Sequence, residues 1–267
     1  MKHRLACPDR HWDPPEKLLV IAGYYRSGTG YLASLLRSTE RLGRPEEYFN
    51  VNHRPVSSFA SDGEINFDAV FTFLRDAATT PNGICAIRLF PPEFRFLVRR
   101  ADLSAWFPDI RFVWMQRADL LGQAISGAIA KETEVWQQTK DWPIDCHDVQ
   151  FDSNRIGAFI RSIASAYQYW ATFFAHNGIT PLIMTYETVL KDPEAAVREI
   201  ALFMDCDLSD APAVSSDLIR QRDPQKSDFR RAYLGGRLSL AACDDSAKRV
   251  VPRTARNLYG LLSKQPI

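Results

Sequence analysis

Four short, largely apolar runs recur along the chain, at residues 18–22 (LLVIA), 84–89 (ICAIRL), 110–115 (IRFVWM) and 181–186 (PLIMTY). Apolar side chains at nearly every position, rather than at alternate ones, fit strands covered on both faces, as in a parallel sheet. The first run ends at once in glycine and turn residues. Other segments carry the helical period instead. Tyr31, Leu32, Leu35 and Leu36 predict a helix over 31–37, directly after that first turn. Phe67, Val70, Phe71 and Leu74 predict one over 67–77, and an alanine-rich stretch predicts one over 120–133. Ile160, Ile163, Ala164, Tyr167, Trp170 and Phe174 predict one over 159–174. Pro193 stands where a first helical turn tolerates proline and opens a last helix running to residue 204.

Strands alternating with helices of crossover length predict an α/β fold, a central parallel sheet flanked by helices on both faces. No internal repeat or low-complexity linker divides the sequence, so residues 1–267 are read as one domain. Residues 1–16 form a polar, proline-containing lead-in, and the part from 210 to 267 is less regular. Residues 50–66 and 139–152 read as loops.

Charge and cysteine usage narrow the class. A net charge of +1 offers no bulk attraction to nucleic acid or to an anionic membrane, so an anionic ligand must be held by a local cluster. The five cysteines are scattered and form no C-x-x-C pair, which argues against a disulfide framework and against a zinc site. No apolar run is long enough to span a bilayer, and residues 1–15 lack the apolar core of a signal peptide. The expected compartment is the cytoplasm.

The chemistry concentrates after the first strand, in residues 23–31 (GYYRSGTGY). Strand, small-residue loop and helix in this order make a phosphate cradle: the first N–H groups of a helix lack intrahelical partners, and the helix dipole is positive there. Gly28 and Gly30 let the backbone approach an anion, Ser27 and Thr29 bring hydroxyls, and Arg26 brings a planar cationic fork. Gly23 and Gly28 have the spacing of the nucleotide-kinase loop G-x-x-x-x-G-K-[ST]. Thr29 stands where its lysine belongs, and Gly30 replaces the hydroxyl that would sit on Mg²⁺. A cation placed ahead of the glycine fits a transfer that needs no metal.

Arg26-Ser27-Gly28-Thr29 resembles the [K/R]-S-G-T-T donor loop of the sulfotransferase superfamily, with Gly30 departing from it. Residues 43–49 (GRPEEYF) resemble the G-x-P-x-E-[FY]-F segment of the bacterial trehalose 2-sulfotransferase type. In order behind it stand a T-P-N-G segment at 80–83 followed by Arg88-Leu89, where that type has Lys-Leu; Arg117 with residues 123–126 (QAIS); Glu134-Val135-Trp136; residues 186–190 (YETVL); and Arg220-Gln221 with Asp223, Ser227 and Asp228.

The resemblance covers residues 18 to about 235 and implies 3′-phosphoadenylyl sulfate as donor and a sugar or glycoconjugate hydroxyl as acceptor. It implies Glu47 as general base, with Glu46 and His53 as rivals, and Arg26 as the group stabilising the leaving phosphate. It implies that Ser27 to Tyr31, Arg117, Ser126, Tyr186, Arg222, Lys226 and Ser227 hold the donor. Tyr48, His53, Arg88 and Trp136 fall on the acceptor side. A homodimer is the expected assembly by the same analogy.

The residues by themselves leave alternatives open. Arg117 has a lesser reading as an ion pair with Asp119, Tyr186 and Trp136 read equally as core aromatics, and the basic stretch from Arg220 to Arg231 reads as a solvated face. Two other functions compete with sulfuryl transfer, a P-loop small-molecule kinase and a non-catalytic nucleotide-binding module.

Overall fold

The computed structural model describes residues 15–50, 59–61, 64–136, 149–218 and 225–235. By its internal contacts the chain divides into a unit ending at Asp223 and one beginning at Pro224. In the first unit the elements run β1 (Lys17–Ala22), α1 (Thr29–Ser38), β2 (Ala60–Ser61), β3 (Glu64–Ile65), α2 (Phe67–Ala78), β4 (Ile84–Leu89), α3 (Pro91–Val98) and α4 (Leu103–Trp106). They continue with β5 (Asp109–Gln116), α5 (Leu120–Thr133), α6 (Ser153–His176), β6 (Leu182–Thr185), α7 (Tyr186–Lys191) and α8 (Pro193–Phe203). In the second unit α9 spans Gln225–Gly235.

The four apolar runs pair as an all-parallel sheet in the order β4-β1-β5-β6, with Leu18 opposite Cys85 on one side and Ile110 on the other. β1 lies inside the sheet and is covered on both faces, which is why every residue from Leu18 to Ala22 is apolar and fully buried. Strand alternation then assigns the two cores. Leu18, Val20 and Ala22 face a core with Phe71, Leu74, Phe94 and Trp170 from α2, α3 and α6. Leu19 and Ile21 face Leu32, Leu36, Val197 and Ile200 from α1 and α8.

The crossover from β1 leads to β4 on one side, and the one from β5 leads to β6 on the other. Their carboxyl ends therefore flank a point where the strand order reverses, the place where open α/β sheets bind ligands. The loop after β1 and the turn after β5 both open there.

Several boundaries differ from the sequence expectation. Tyr186 does not end a strand; it is the first residue of α7, because the Thr185 hydroxyl and Thr188 form a capping box that starts a helix there. α6 begins at Ser153, ahead of the first strongly apolar position, because the Asp152 carboxylate accepts from the backbone N–H groups of Asn154 and Arg155. α3 carries two prolines in its first turn, where their missing N–H groups cost nothing, and its short apolar stretch has no clear period. The 50–66 loop holds the small antiparallel ribbon β2–β3.

Candidate active site

The site is built on the loop between β1 and α1. Ser27 is fully buried; its hydroxyl donates to the Tyr24 carbonyl at 2.7 Å and so fixes the turn rather than pointing outward. The loop is held from behind by three further elements. Trp170 Nε1 donates to the Gly23 carbonyl at 2.9 Å, Gln123 Nε2 to the Tyr25 carbonyl at 2.9 Å, and an Arg117 NH group to the Arg26 carbonyl at 3.2 Å. The carbonyls of four successive residues, Gly23 to Arg26, are thereby each held by a side chain.

Gly28 is the N-cap of α1, at φ 92°, and supplies no side-chain cap. By contrast α2, α5, α6, α7 and α8 are each capped by an Asn, Asp or Thr side chain. The first N–H groups of α1 are thus left to an external acceptor, and the helix dipole favours an anion there. A Cβ on Gly28 would stand 2.5 Å from Cδ2 of Tyr186, so glycine is required both by the left-handed backbone and by the ring above it. Thr29 is buried, with its methyl packed against Gly23. Tyr31 is half-buried close to Tyr186.

Around this loop the structure gathers residues that lie far apart in sequence. Arg26, itself at φ 63°, donates from Nε to the Ser126 hydroxyl at 2.9 Å and from its NH1 group to the Trp136 carbonyl. Ser126 is buried on α5. The Arg117 guanidinium lies 5.0 Å from the centre of the Tyr186 ring. Its Nε is buried with no hydrogen-bond partner, the nearest Glu187 oxygen being 3.8 Å away. Arg117 is not paired with Asp119, whose carboxylate instead caps α5 by accepting from Gly122 N–H at 2.9 Å. Tyr186 thus sits between Gly28 and Arg117 with part of its ring accessible, and Trp136, 37% exposed, lies against Tyr25 at 5.5 Å and is not a core residue.

The GRPEEYF segment returns beside β4. Glu46 bridges to Ile87, and Arg88 N–H donates to the Glu46 carbonyl at 2.9 Å. This register puts two carboxylates on one guanidinium. Arg88, buried, lies 3.0 Å from the Glu46 side chain and 3.3 Å from that of Glu47. Glu47 is held further by Asn50 Nδ2 at 2.8 Å, while Glu46 also pairs with Arg37 at 2.6 Å. Tyr48, by contrast, is buried in the core, and its hydroxyl faces the Arg44 and Ala77 carbonyls.

Sequence reasoning overlooked a third carboxylate. Glu93, in the first turn of α3, has one buried oxygen with no hydrogen-bond partner. Burial pushes its carboxyl up, and the nearby Glu47 charge adds to the effect. The same neighbourhood raises Tyr25 to about 12, chiefly through burial, then through Glu93. The sequence signal for Glu93 was available: a lone acidic residue beside two prolines, four residues beyond β4.

Lys226 is half-buried and Ser227 exposed in the first turn of α9. His53 and Arg222 lie outside the described residues, as do Arg220, Gln221 and Asp223. Among the described residues no group of His, Cys, Asp and Glu is arranged to hold a metal ion, and no helix is long and apolar enough to cross a membrane.

Chemically, the arrangement offers an anion cradle at a helix N-terminus, cations at Arg26 and Arg117 beside it, an aromatic ring over the loop, and a carboxylate held by a buried arginine. Comparison with known proteins gives the family. The family model described as Stf0 sulphotransferase matches residues 18–234. The trehalose 2-sulfotransferase of Mycobacterium tuberculosis (strain ATCC 35801 / TMC 107 / Erdman) is 25% identical over 253 residues, covering 79% of this chain and 93% of that protein. The trehalose 2-sulfotransferase of Mycolicibacterium smegmatis is 25% identical over 259 residues, covering 82% and 96%. A solved sulfotransferase from Alicyclobacillus acidocaldarius aligns over 84% of this chain and 92% of its own at 15% identity, with a TM-score of 0.46.

Proposed function

Because the chain belongs to the Stf0 sulphotransferase family, we propose that it transfers a sulfuryl group from 3′-phosphoadenylyl sulfate to a hydroxyl of a carbohydrate or glycoconjugate. The relatives named for trehalose support a sugar acceptor. The observation that carries the donor assignment is the uncapped α1 N-terminus at Gly28, with the Tyr186 ring between it and Arg117 and with Arg26 two residues ahead of it. The 5′-phosphosulfate lies on the loop, against the N–H groups following Gly28, and Arg117 with Ser126 grips the 3′-phosphate that distinguishes this donor from ATP. The buried Nε of Arg117, which has no hydrogen-bond partner, supports that role. Tyr186 serves as the platform for the adenine.

In the transfer, the acceptor oxygen attacks sulfur in line while the sulfur–oxygen bond to the 5′-phosphate breaks. The electron pair stays on that phosphate, and the products are a sulfate ester and 3′,5′-ADP. By analogy with phosphoryl transfer, catalysis is positioning plus electrostatics. Arg26 and the loop N–H groups stabilise the leaving phosphate, and Glu47 takes the acceptor proton. Arg88 holds the Glu47 carboxylate in place, and Trp136 offers a face for sugar C–H groups.

No metal takes part in this scheme. A kinase reading is not favoured, since Thr29 and Gly30 occupy the positions of the lysine and the Mg²⁺-binding hydroxyl. The family match covers residues 18–234, which supports reading the chain as a single sulfotransferase domain. A cytoplasmic setting rests on the scattered cysteines of the sequence. A homodimer rests on the family resemblance.

The test is a thermal shift with 3′,5′-ADP, ATP and GTP, each with and without Mg²⁺. Stabilisation by 3′,5′-ADP that is indifferent to Mg²⁺ is expected. Selective stabilisation by ATP with Mg²⁺ overturns the assignment.

A further inference from the structure

An open cleft of about 410 Å³ lies between the start of α3 and the middle of α6, lined among others by Tyr24, Pro91, Arg95, Arg161, Ser162 and Ser165. Its size is that of a small-molecule subsite rather than of a single ion. Its chemistry is lopsided. Two guanidinium groups and two serine hydroxyls line it, and neither Arg95 nor Arg161 pairs with a carboxylate among the described residues. The Arg95 guanidinium lies over the Tyr169 ring, 4.3 Å from its centre, a contact that does not neutralise it, and Arg99 adds charge near the same ring. The chain as a whole has a net charge of only +1, so this is a local concentration of cations and not part of a general field.

The cleft is joined to the transfer site through Tyr24. This residue lines the cleft, bonds to the Ser162 side chain, stacks edge-on to Tyr25 at 4.9 Å, and stands two positions before Arg26. Glu93 lies behind it, near both Tyr24 and Glu47. From the cleft toward Glu47 the neighbours in turn are cationic donors and prolines, the Tyr24 and Tyr25 rings, and the carboxylates of Glu93 and Glu47. That sequence of chemistries matches a sugar with a negative group at one end and a free hydroxyl at the other.

We propose that this cleft is the outer subsite of the acceptor and that it takes an anionic group, a carboxylate, phosphate or sulfate, carried by the saccharide whose hydroxyl is sulfated. The assignment rests on the sulfotransferase reading above and specifies its substrate class: charged saccharides are preferred over their neutral parents.

The experiment compares neutral and charged partners at constant skeleton, on the full chain with 3′,5′-ADP bound. Glucose is set against glucose 6-phosphate and glucuronate, and trehalose against trehalose 6-phosphate, by calorimetric titration, with inorganic phosphate and sulfate alone as further arms. At least one charged sugar is expected to bind about tenfold more tightly than its neutral parent. Arg161→Glu should abolish that preference while the affinity for 3′,5′-ADP is kept. Which pair shows the gain distinguishes a carboxylate from a phosphate. Equal binding of charged and neutral sugars in every pair overturns the subsite, and so does a preference that survives Arg161→Glu. Inorganic anions binding as tightly as the charged sugars overturn it too, since the saccharide then contributes nothing. A chain that fails to bind 3′,5′-ADP at the outset overturns the sulfotransferase reading instead.

Discussion

The guanidinium of Arg88, 5% exposed, is shared between two adjacent carboxylates, 3.3 Å from Glu47 and 3.0 Å from Glu46. The last residues of β4 thereby hold the candidate base through a fork with one prong for each glutamate. A lysine at this position would present a single point charge and serve one of them. Arg88→Lys is expected to lower kcat about tenfold with the Kd for 3′,5′-ADP unchanged. An unchanged kcat shows that Arg88 does not position the base. Arg88→Met should cost about 2 kcal/mol in urea unfolding. That is less than for a fully buried pair, because Glu46 and Glu47 keep 39% and 19% of their side chains exposed.

Glu47 itself is the proton acceptor in the proposed transfer. Glu47→Gln keeps the shape and the Asn50 contact but cannot take a proton. Turnover should fall at least about a hundredfold with donor affinity intact. Measured single-turnover rates that match the parent protein move the role to Glu46, Glu93 or His53.

Arg117 reaches the back of the β1–α1 loop with one nitrogen and leaves Nε buried without a hydrogen-bond partner, Glu187 standing 3.8 Å away. Arg117→Ala should weaken 3′,5′-ADP binding by about tenfold or more, the value of one charge-assisted hydrogen bond. A loss confined to kcat, with Kd unaltered, contradicts a 3′-phosphate contact.

Gly28 meets two constraints at once, a φ of 92° and a ring 2.5 Å from where a Cβ would stand. Gly28→Ala should destabilise the protein by about 1–2 kcal/mol and reduce donor affinity. The double variant with Tyr186→Ala should recover the steric part and not the backbone part. Full recovery in the double variant shows that the conformation carries no cost.

Glu93 makes a pH prediction. Its folded carboxyl is raised above its ordinary value of 4.5, first by burial and then by Glu47. The native state therefore binds more protons than the unfolded state between the ordinary and the raised value, and stability falls as pH rises through that window. Below it both states are protonated and the penalty is absent; above it the penalty is complete. Glu93→Gln should raise Tm at neutral pH and leave it unchanged well below pH 4.5. A Tm lowered by the same amount at both pH values indicates a packing role alone.

Much of this protein is legible in its amino-acid order. The four strands are runs covered on both faces, so they appear as unbroken apolar stretches, and the main helices show their period because one stripe faces a core. The loop from Gly23 to Gly30 is local chemistry with a local signature, and Glu47, Arg88, Arg117 and Ser126 could be singled out by type and order. What the order could not supply is their meeting. Arg26 and Ser126 are 100 residues apart and bonded, and Arg88 and Glu46 are 42 apart and paired. Such contacts are made by parallel crossovers, which bring strand ends together without leaving any periodic trace in the sequence. The same holds where the sequence expectation went astray. Tyr186 begins a helix because a capping box outweighs the strand that precedes it, and the Ser27 hydroxyl turns inward onto the Tyr24 carbonyl. The cleft beside Tyr24 exists only because α3 packs near α6. Sequence alone determined which residues could bind an anion; the tertiary structure decided which of them face one another.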